Sequence, residues 1–327
     1  MSADAVTIGI DIGGTKVSGG VVDAHGRVLA RARRDTPHRS SEPAVVEDTI
    51  VAVVDELLDA HEGAEPDAVG IGAAGFVSAD RATVVFAPHL SWRNEPLRDR
   101  ISDRIGRRVS VNNDANAALW AEHRFGAAYG HDEVVMITLG TGIGGGLLVA
   151  GRLARGRYGL AGEYGHTQVV RGGLRCECGN RGCWEQYSSG NALVREARSM
   201  IAARSPLVSE LAARVKGDPA GLTGPMITEA AREGDRTARE LLAEVGDWLG
   251  RGIANLAAAL DPELFVIGGG VSAAGELLLA PARERLATQL TGRGYRPVAP
   301  IVGARLGPDA GMIGAADLAR GQQEAIR

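Results

Sequence analysis

Four side chains in one short run, His166, Cys176, Cys178 and Cys183, supply an imidazole and three thiols. That donor set suits tetrahedral structural zinc. Four protein ligands leave no open coordination position, so such an ion shapes a loop rather than activating water. Gly172, Gly173, Gly179 and Gly182 give the segment the freedom to wrap around it. These are the only cysteines in the chain, an odd and clustered set, which is not the pattern of a disulfide framework. The spacing differs from the paired CxxC of common zinc fingers, and reduced buried cysteines beside an unrelated histidine are the alternative. Glu163 and Glu185 flank the cluster. A metal-held loop could aim both at ligand hydroxyls, although an isolated glutamate is ordinarily a surface residue.

A second chemistry is written in glycine. Asp11-Ile12-Gly13-Gly14-Thr15-Lys16 follows an apolar run, as do Gly140-Thr141-Gly142-Ile143-Gly144-Gly145-Gly146 and Gly268-Gly269-Gly270. Glycine lets backbone N–H groups converge on phosphate oxygens, Thr15 adds a hydroxyl, and Asp11 can hold a hydrated magnesium ion. One such turn is weak support; three in the same context favour shared phosphate and nucleotide binding. Lys16 either neutralises phosphate or is a solvated lysine after a turn. The Walker spacing G-x-x-x-x-G-K-[ST] is absent at Gly9–Lys16.

Asp114 is the candidate base, set in Asn112-Asn113-Asp114-Ala115-Asn116. Phosphoryl transfer to an alcohol needs a group that orients the hydroxyl and accepts its proton. A carboxylate with an ordinary pKa of about 4 is ionised at neutrality and can do so. The same segment reads equally well as a turn in which Asp114 caps the following helix.

The elements that must position these groups follow from periodicity. Val6–Ile12, Val17–Val22 and Arg27–Arg33 read as three strands joined by tight turns, with a fourth at Ala68–Ile71. From Glu42 to Ala60, Val46, Ile50, Val53, Val54, Leu57 and Leu58 form a helical stripe, with Ser40 or Ser41 as cap and Pro43 in the first turn. A strand at Val109–Val111 enters a helix over Ala115–Phe125, which puts Asp114 at a strand-to-helix junction. Val134–Leu139, a Gly-Thr turn and Leu147–Val149 then repeat the opening pattern, an internal duplication of architecture. Asn191–Leu260 is mostly helical, with a break near Gly217–Pro225. Leu264–Ile267 is a strand, Ala274–Leu290 a helix, Pro297–Ile301 an edge strand, and Met312–Arg320 a closing helix.

The chain has 327 residues, enough for one large domain or two modest ones. Hydrophobic residues at 45% and charged residues at 23% are the balance of a globular protein, with aromatics scarce at 4%. A net charge of −4 offers nucleic acid no general attraction. The short basic runs Arg31, Arg33, Arg34 and Arg104, Arg107, Arg108 read as solvated faces. The opening MSADAVTIGIDIGG lacks the basic-then-apolar form of a secretion signal, and apolar runs such as Leu256–Leu260 are too short for a bilayer. The expectation is a cytoplasmic protein without nucleic-acid or membrane partners.

Together these motifs resemble the bacterial glucokinases of the ROK family (repressor, open reading frame, kinase), over nearly the full length. The phosphate motifs stand as Asp11–Lys16 and Leu139–Gly144, the asparagine-rich catalytic motif as Asn112–Ala117, Glu-x-x-His as Glu163–His166, and CxCGxxGCxE as Cys176–Glu185. The resemblance implies a two-domain α/β fold of the ribonuclease H-like, actin-like ATPase (hexokinase) type with an interdomain active-site cleft. The domains expected are 1–112 plus 309–327, and 113–308. It implies ATP-dependent phosphorylation of glucose at its 6-hydroxyl, with Asp114 as catalytic base. Gly75, Asn113, Asp114, Glu163, His166 and Glu185 would surround the hexose. Asp11, Gly13, Gly14, Thr15, Lys16, Thr141, Gly142, Gly269 and Gly270 would hold ATP and Mg2+. His166, Cys176, Cys178 and Cys183 would hold structural Zn2+, and a homodimer or homotetramer is expected. Family repressors carry a winged helix ahead of the first phosphate motif, which here starts within the opening dozen residues. Fructose, mannose and amino-sugar kinases of the family share much of the pattern, so the sugar is less sharply specified than the family.

Overall fold

The computed structural model describes residues 5–321. The ends of the chain read above for a leader (1–4) and for the first domain (322–327) lie outside the described residues. In chain order the first elements are β1 (Thr7–Ile12), β2 (Lys16–Val22), β3 (Val28–Asp35), α1 (Pro43–Ala60), β4 (Ala68–Ala73), β5 (Phe76–Val77) and β6 (Val84–Phe86). Then come β7 (Arg93–Glu95), α2 (Leu97–Ile105), β8 (Arg108–Asn113), α3 (Asp114–Phe125), β9 (Val134–Leu139), β10 (Ile143–Val149) and β11 (Arg152–Leu153). The rest are α4 (Gly190–Ala202), α5 (Ser209–Arg214), α6 (Gly224–Glu233), α7 (Arg236–Leu260), β12 (Leu264–Gly268), α8 (Glu276–Gln289), β13 (Ile301–Gly303) and α9 (Ala310–Arg320).

Two compact units result: Met1–Asp132, Gly146–Gly162 and Arg305–Arg327 form one, Glu133–Gly145 and Glu163–Ala304 the other. Residues 113–132 thus group with the first unit rather than beyond a boundary at 112, and packing supplies the reason. Trp120 Nε1 on α3 donates to Asp317 Oδ2 on α9 at 2.8 Å, and Arg124 reaches the same oxygen at 3.2 Å. Gly314 of α9 lies so close to α3 that a Cβ there would overlap the Ala117 carbonyl.

The first unit is built on a sheet of order β3-β2-β1-β4-β8, in which β1 pairs antiparallel with β2 and parallel with β4, and β4 parallel with β8. One face is covered by α1, whose Val46, Ile50, Val53, Val54 and Leu57 are buried as their spacing predicts. Pro43 opens α1, but Glu42 occupies the cap position and makes no side-chain cap bond. The expected serines are engaged upstream: Ser40 bonds His38 through its hydroxyl, and the Ser41 amide donates to the His38 carbonyl. The other face meets α9 almost backbone to backbone. A Cβ on Gly9 would overlap the Met312 carbonyl, and one on Gly70 the Ala315 carbonyl.

The second sheet has the order β11-β10-β9-β12-β13, matching the first strand for strand and supporting the duplication read in the sequence. In the second unit α7 and α8 pack closely, with Gly246 and Gly250 against the Leu278 and Ala282 carbonyls. The strand expected at Pro297–Ile301 forms later, at Ile301–Gly303, parallel to β12. The small sheet β5-β6-β7 and helix α2 were not anticipated: their strands of two or three residues are too short to show alternation. Among the described residues no helix is long and apolar enough to cross a membrane.

The α9 contact yields a stability prediction. Gly70→Ala must push a helix backbone off its sheet, costing about 3 kcal/mol or more. Gly221→Ala, whose Cβ would meet nothing nearer than 3.7 Å, should stay within about 0.5 kcal/mol. Urea unfolding of both variants measures the contrast.

Candidate active site and metal centre

In the first unit the parallel register sets the site. Asp11 on β1 lies beside Gly72 on β4, which lies beside Asn112 on β8; one step on, Ile12, Ala73 and Asn113 form the next row. Asp114 follows as the first residue of α3. The helix cap is Asn113, not Asp114: its Oδ1 accepts from the Asn116 amide at 3.0 Å. Asn113 Nδ2 donates to the Gly75 carbonyl and to Asp114 Oδ1, each at 3.1 Å. Asp114 Oδ1 also accepts from the Ala115 amide at 2.9 Å. The capping function thus falls on one residue, which leaves the neighbouring carboxylate held at its root with Oδ2 unused in these contacts.

The Gly13–Lys16 turn is closed by the Gly13 amide donating to the Lys16 carbonyl at 2.9 Å, and Thr36 Oγ1 ties it down through the Gly13 carbonyl at 2.8 Å. Gly14 faces His89, whose Cβ lies 3.3 Å from where a glycine Cβ would project. Gly75 has no room for a side chain against the backbone of Phe86 and Ala87. The start of α9 abuts Asp11, since a Cβ on Gly311 would sit 2.9 Å from its carboxyl carbon. A helix N-terminus favours the negative form of such a group.

Burial works against that. It pushes Asp11 up to about 7, aided by the charge of Asp114. Asp114 rises to about 6, also through burial, while the Ala115 amide, its own amide, Asn113 and the nearby His89 pull it back. Two carboxylates pushed upward at one end of a sheet mark a candidate site for proton transfer.

The second unit gathers the remaining residues around the cysteine loop. The ligand atoms of His166, Cys176, Cys178 and Cys183 all lie within 4.8 Å of one another. Cys176 Sγ is 3.6 Å from His166 Nδ1, and Cys178 Sγ is 3.6 Å from Cys183 Sγ. Bonds of about 2.3 Å to sulfur and 2.0–2.1 Å to nitrogen give a tetrahedron with edges of roughly 3.5–3.8 Å. The residues therefore fit zinc. Burial pushes the Cys176 and Cys183 thiols upward, a cost that a bound dication would reverse. Gly179 at φ 93° and Gly182 at φ 77° provide the turns, and Gly182 has no space for a side chain beside the Val170 carbonyl.

Glu185 joins this loop to the second glycine turn. Its Oε1 lies 3.1 Å from Cys176 Sγ, and its Oε2 accepts from the Ile143 amide at 3.4 Å. A side chain on Gly142 would collide with that carboxylate. The Glu163 carbonyl accepts the His166 amide at 3.1 Å, closing a short 3-10 turn. The nucleotide-type glycines also converge. The Gly190 amide, opening α4, donates to the Gly140 carbonyl at 2.8 Å, and the Asn191 amide to the Thr141 carbonyl at 3.4 Å. Gly269, at φ 80°, presses against the backbone of Leu139, with Gly270 next to it.

Some neighbours had no signal in the sequence. His89 lies in an irregular loop, and only folding brings it to Gly14 and Asp114. Arg155 is largely buried and donates to Asn112 Oδ1 at 3.1 Å, a contact across 43 positions. Gly311 reads as an ordinary helical residue until the sheet is in place.

Comparison with known proteins accords with this geometry. The model of the ROK family matches residues 7–322. The chain is 47% identical to a glucokinase of Streptomyces coelicolor, covering 96% of this chain and 98% of that protein. It is 38% identical to a glucokinase of Thermotoga maritima, over 95% and 96%. Among solved structures, a ROK family glucokinase from Streptomyces griseus in complex with glucose and AMPPNP superposes with a TM-score of 0.90 at 49% identity, covering 97% of this chain and 99% of that one. The fold is accordingly that of the actin-like sugar kinases, and the protein is a member of the ROK family.

Proposed function

We propose that the protein is an ATP-dependent glucokinase, moving the γ-phosphoryl group of ATP to the 6-hydroxyl of D-glucose to give glucose 6-phosphate and ADP. The observation that carries this reading is Asp114, fixed by Asn113 and the Ala115 amide at the end of β8, with a pKa near 6. At neutral pH it is mostly ionised, yet basic enough to take a proton as the alcohol becomes an ester. The proton passes from the sugar hydroxyl to Asp114 Oδ2 while that oxygen bonds to phosphorus and the bridging oxygen leaves with ADP. The relatives named above are glucokinases, and the Streptomyces griseus structure holds glucose with an ATP analogue.

The other roles belong to the same reading. Gly75, Asn113, Glu163, His166 and Glu185 bind the hexose hydroxyls. The turns at Gly13–Lys16, Thr141–Gly142 and Gly269–Gly270 offer backbone amides to ATP. Asp11 would hold a hydrated Mg2+, which would supply positive charge against the phosphates. Zinc at His166, Cys176, Cys178 and Cys183 would supply a fixed loop, with Glu185 as its link to Gly142. A cytoplasmic location and assembly as a dimer or tetramer complete the proposal, the latter measurable by light scattering.

Three outcomes test it. In a panel of glucose, mannose, fructose and N-acetylmannosamine followed by ADP release, glucose should give the highest kcat/KM; a better amino sugar would reassign the substrate. Asp114→Asn should lose about 10²–10⁴ in kcat while melting higher than the parent at pH 8. The sign follows from burial: protonation of Asp114 is favoured in the folded state. Its stabilising contribution is full below the ordinary value of 3.8 and lost as pH rises through about 6. The variant's advantage is on the order of 1–2 kcal/mol at pH 8, discounted for the solvent access Asp114 retains, and vanishes near pH 4. For the parent, kcat/KM should fall on acidification through about 6. Finally, elemental analysis should find one zinc per chain, lost in Cys183→Ser together with glucose affinity; full affinity in a zinc-free protein would separate the loop from sugar binding.

A further inference from the structure

Arg81, Arg98 and Arg108 line one recess of ≈ 160 Å3 in the first unit, together with Asp80, Ser110 and Ala319. Among the described residues, its positive charge is compensated only at Arg98. Arg81 pairs with no carboxylate among the described residues. Arg108 spends a guanidinium N–H on the Ala319 carbonyl at 3.3 Å, so it settles a helix end without losing its charge. Arg98 bonds Asp99 at 2.8 Å and the Asp80 carbonyl at 3.4 Å. The Asp80 carboxylate, the one acid in the lining, accepts from the Ser78 hydroxyl and the Ala82 amide and keeps its charge, which faces that of Arg98. Nearby Arg155 is lowered to about 10, by burial first and by the charge of Arg81 second.

Two further features mark the recess as built for a ligand. Ser110 Oγ is buried and has no hydrogen-bond partner, a cost of about 1–3 kcal/mol unless something fills the bond. Arg81 is held at φ 57°, where a long side chain is strained. The volume is about five waters' share of liquid, roughly 30 Å3 each, and below the roughly 300 Å3 where pockets for drug-sized ligands begin. Arginines in the lining of a small volume suit a tetrahedral oxyanion, which a guanidinium fork binds through paired N–H groups. The recess lies at the starts of β4 and β8, whereas Asp114 follows the end of β8. The five steps from Arg108 to Asn113 span about 17 Å.

We infer that this recess is a phosphate site separate from Asp114, taking the phosphate group of a small anion on Arg81, Arg108 and Ser110. The group comes either from free inorganic phosphate or from a sugar monophosphate. The inference does not rest on the proposed reaction. Calorimetric titration of the full chain with inorganic phosphate at constant ionic strength should give saturable binding. Arg81→Gly, which relaxes the backbone and so preserves the fold, and Arg108→Gln should each weaken it at least tenfold, with kcat for glucose in phosphate-free buffer unchanged. A parallel titration with glucose 6-phosphate separates the sources. An arginine-dependent component there assigns the sugar ester; arginine dependence of inorganic phosphate alone assigns the free ion. Phosphate binding of equal strength in parent and variants, or none in the parent, overturns the site.

Discussion

Helix α9 rests on strands β1 and β4 at a distance that only glycine permits, and the chemistry of the first unit depends on that contact. Gly9 and Gly70 face the Met312 and Ala315 carbonyls, and Gly314 faces that of Ala117. With the backbones this close at the glycines, the helix brings its first turn to Asp11 and its middle to α3, whose first residue is Asp114. The Trp120–Asp317 bond fixes the same pair of helices. Two carboxylates that repel each other and resist burial are thereby kept in place by the packing of the elements that carry them. Keeping both ionised costs stability, which the rest of the fold supplies.

In the second unit a different device serves the same end. The loop from His166 to Cys183 is rich in glycine and has little core of its own, and a metal bound there would substitute for one. The fully buried Trp184, bonded to the Trp248 carbonyl at 2.8 Å, anchors the loop to α7. Glu185, its neighbour, is thus held between the cysteine cluster and the Gly142 turn. Rigidity flows from the protein interior through one tryptophan to one carboxylate.

Much of this was legible in the sequence because the informative features are local. Apolar runs ending in glycine located β1, β4, β9 and β12, and the clustering of His166, Cys176, Cys178 and Cys183, rather than their spacing, pointed to a candidate metal site. The Asn113-Asp114 pair was recognisable in type, but the division of labour was not: Asn113 caps α3, which only the hydrogen bonds reveal. Arg108 read as part of a solvated run, since its convergence with Arg81 and Arg98 spans distant segments. His89 and Arg155 were missed for the same reason. The β5-β6-β7 sheet lay below the length at which periodicity can speak.

The first unit is assembled from three separated stretches of chain, and the last of them carries α9. On a ribosome, the glycine faces of β1 and β4 therefore stay uncovered while everything up to residue 304 is made. The second unit has all its parts by then and can fold while the nascent chain still lacks its final helix. The order of synthesis leaves the half bearing Asp11 and Asp114 without its covering helix until α9 emerges, so the turn that abuts Asp11 arrives only after the cysteine loop has been made.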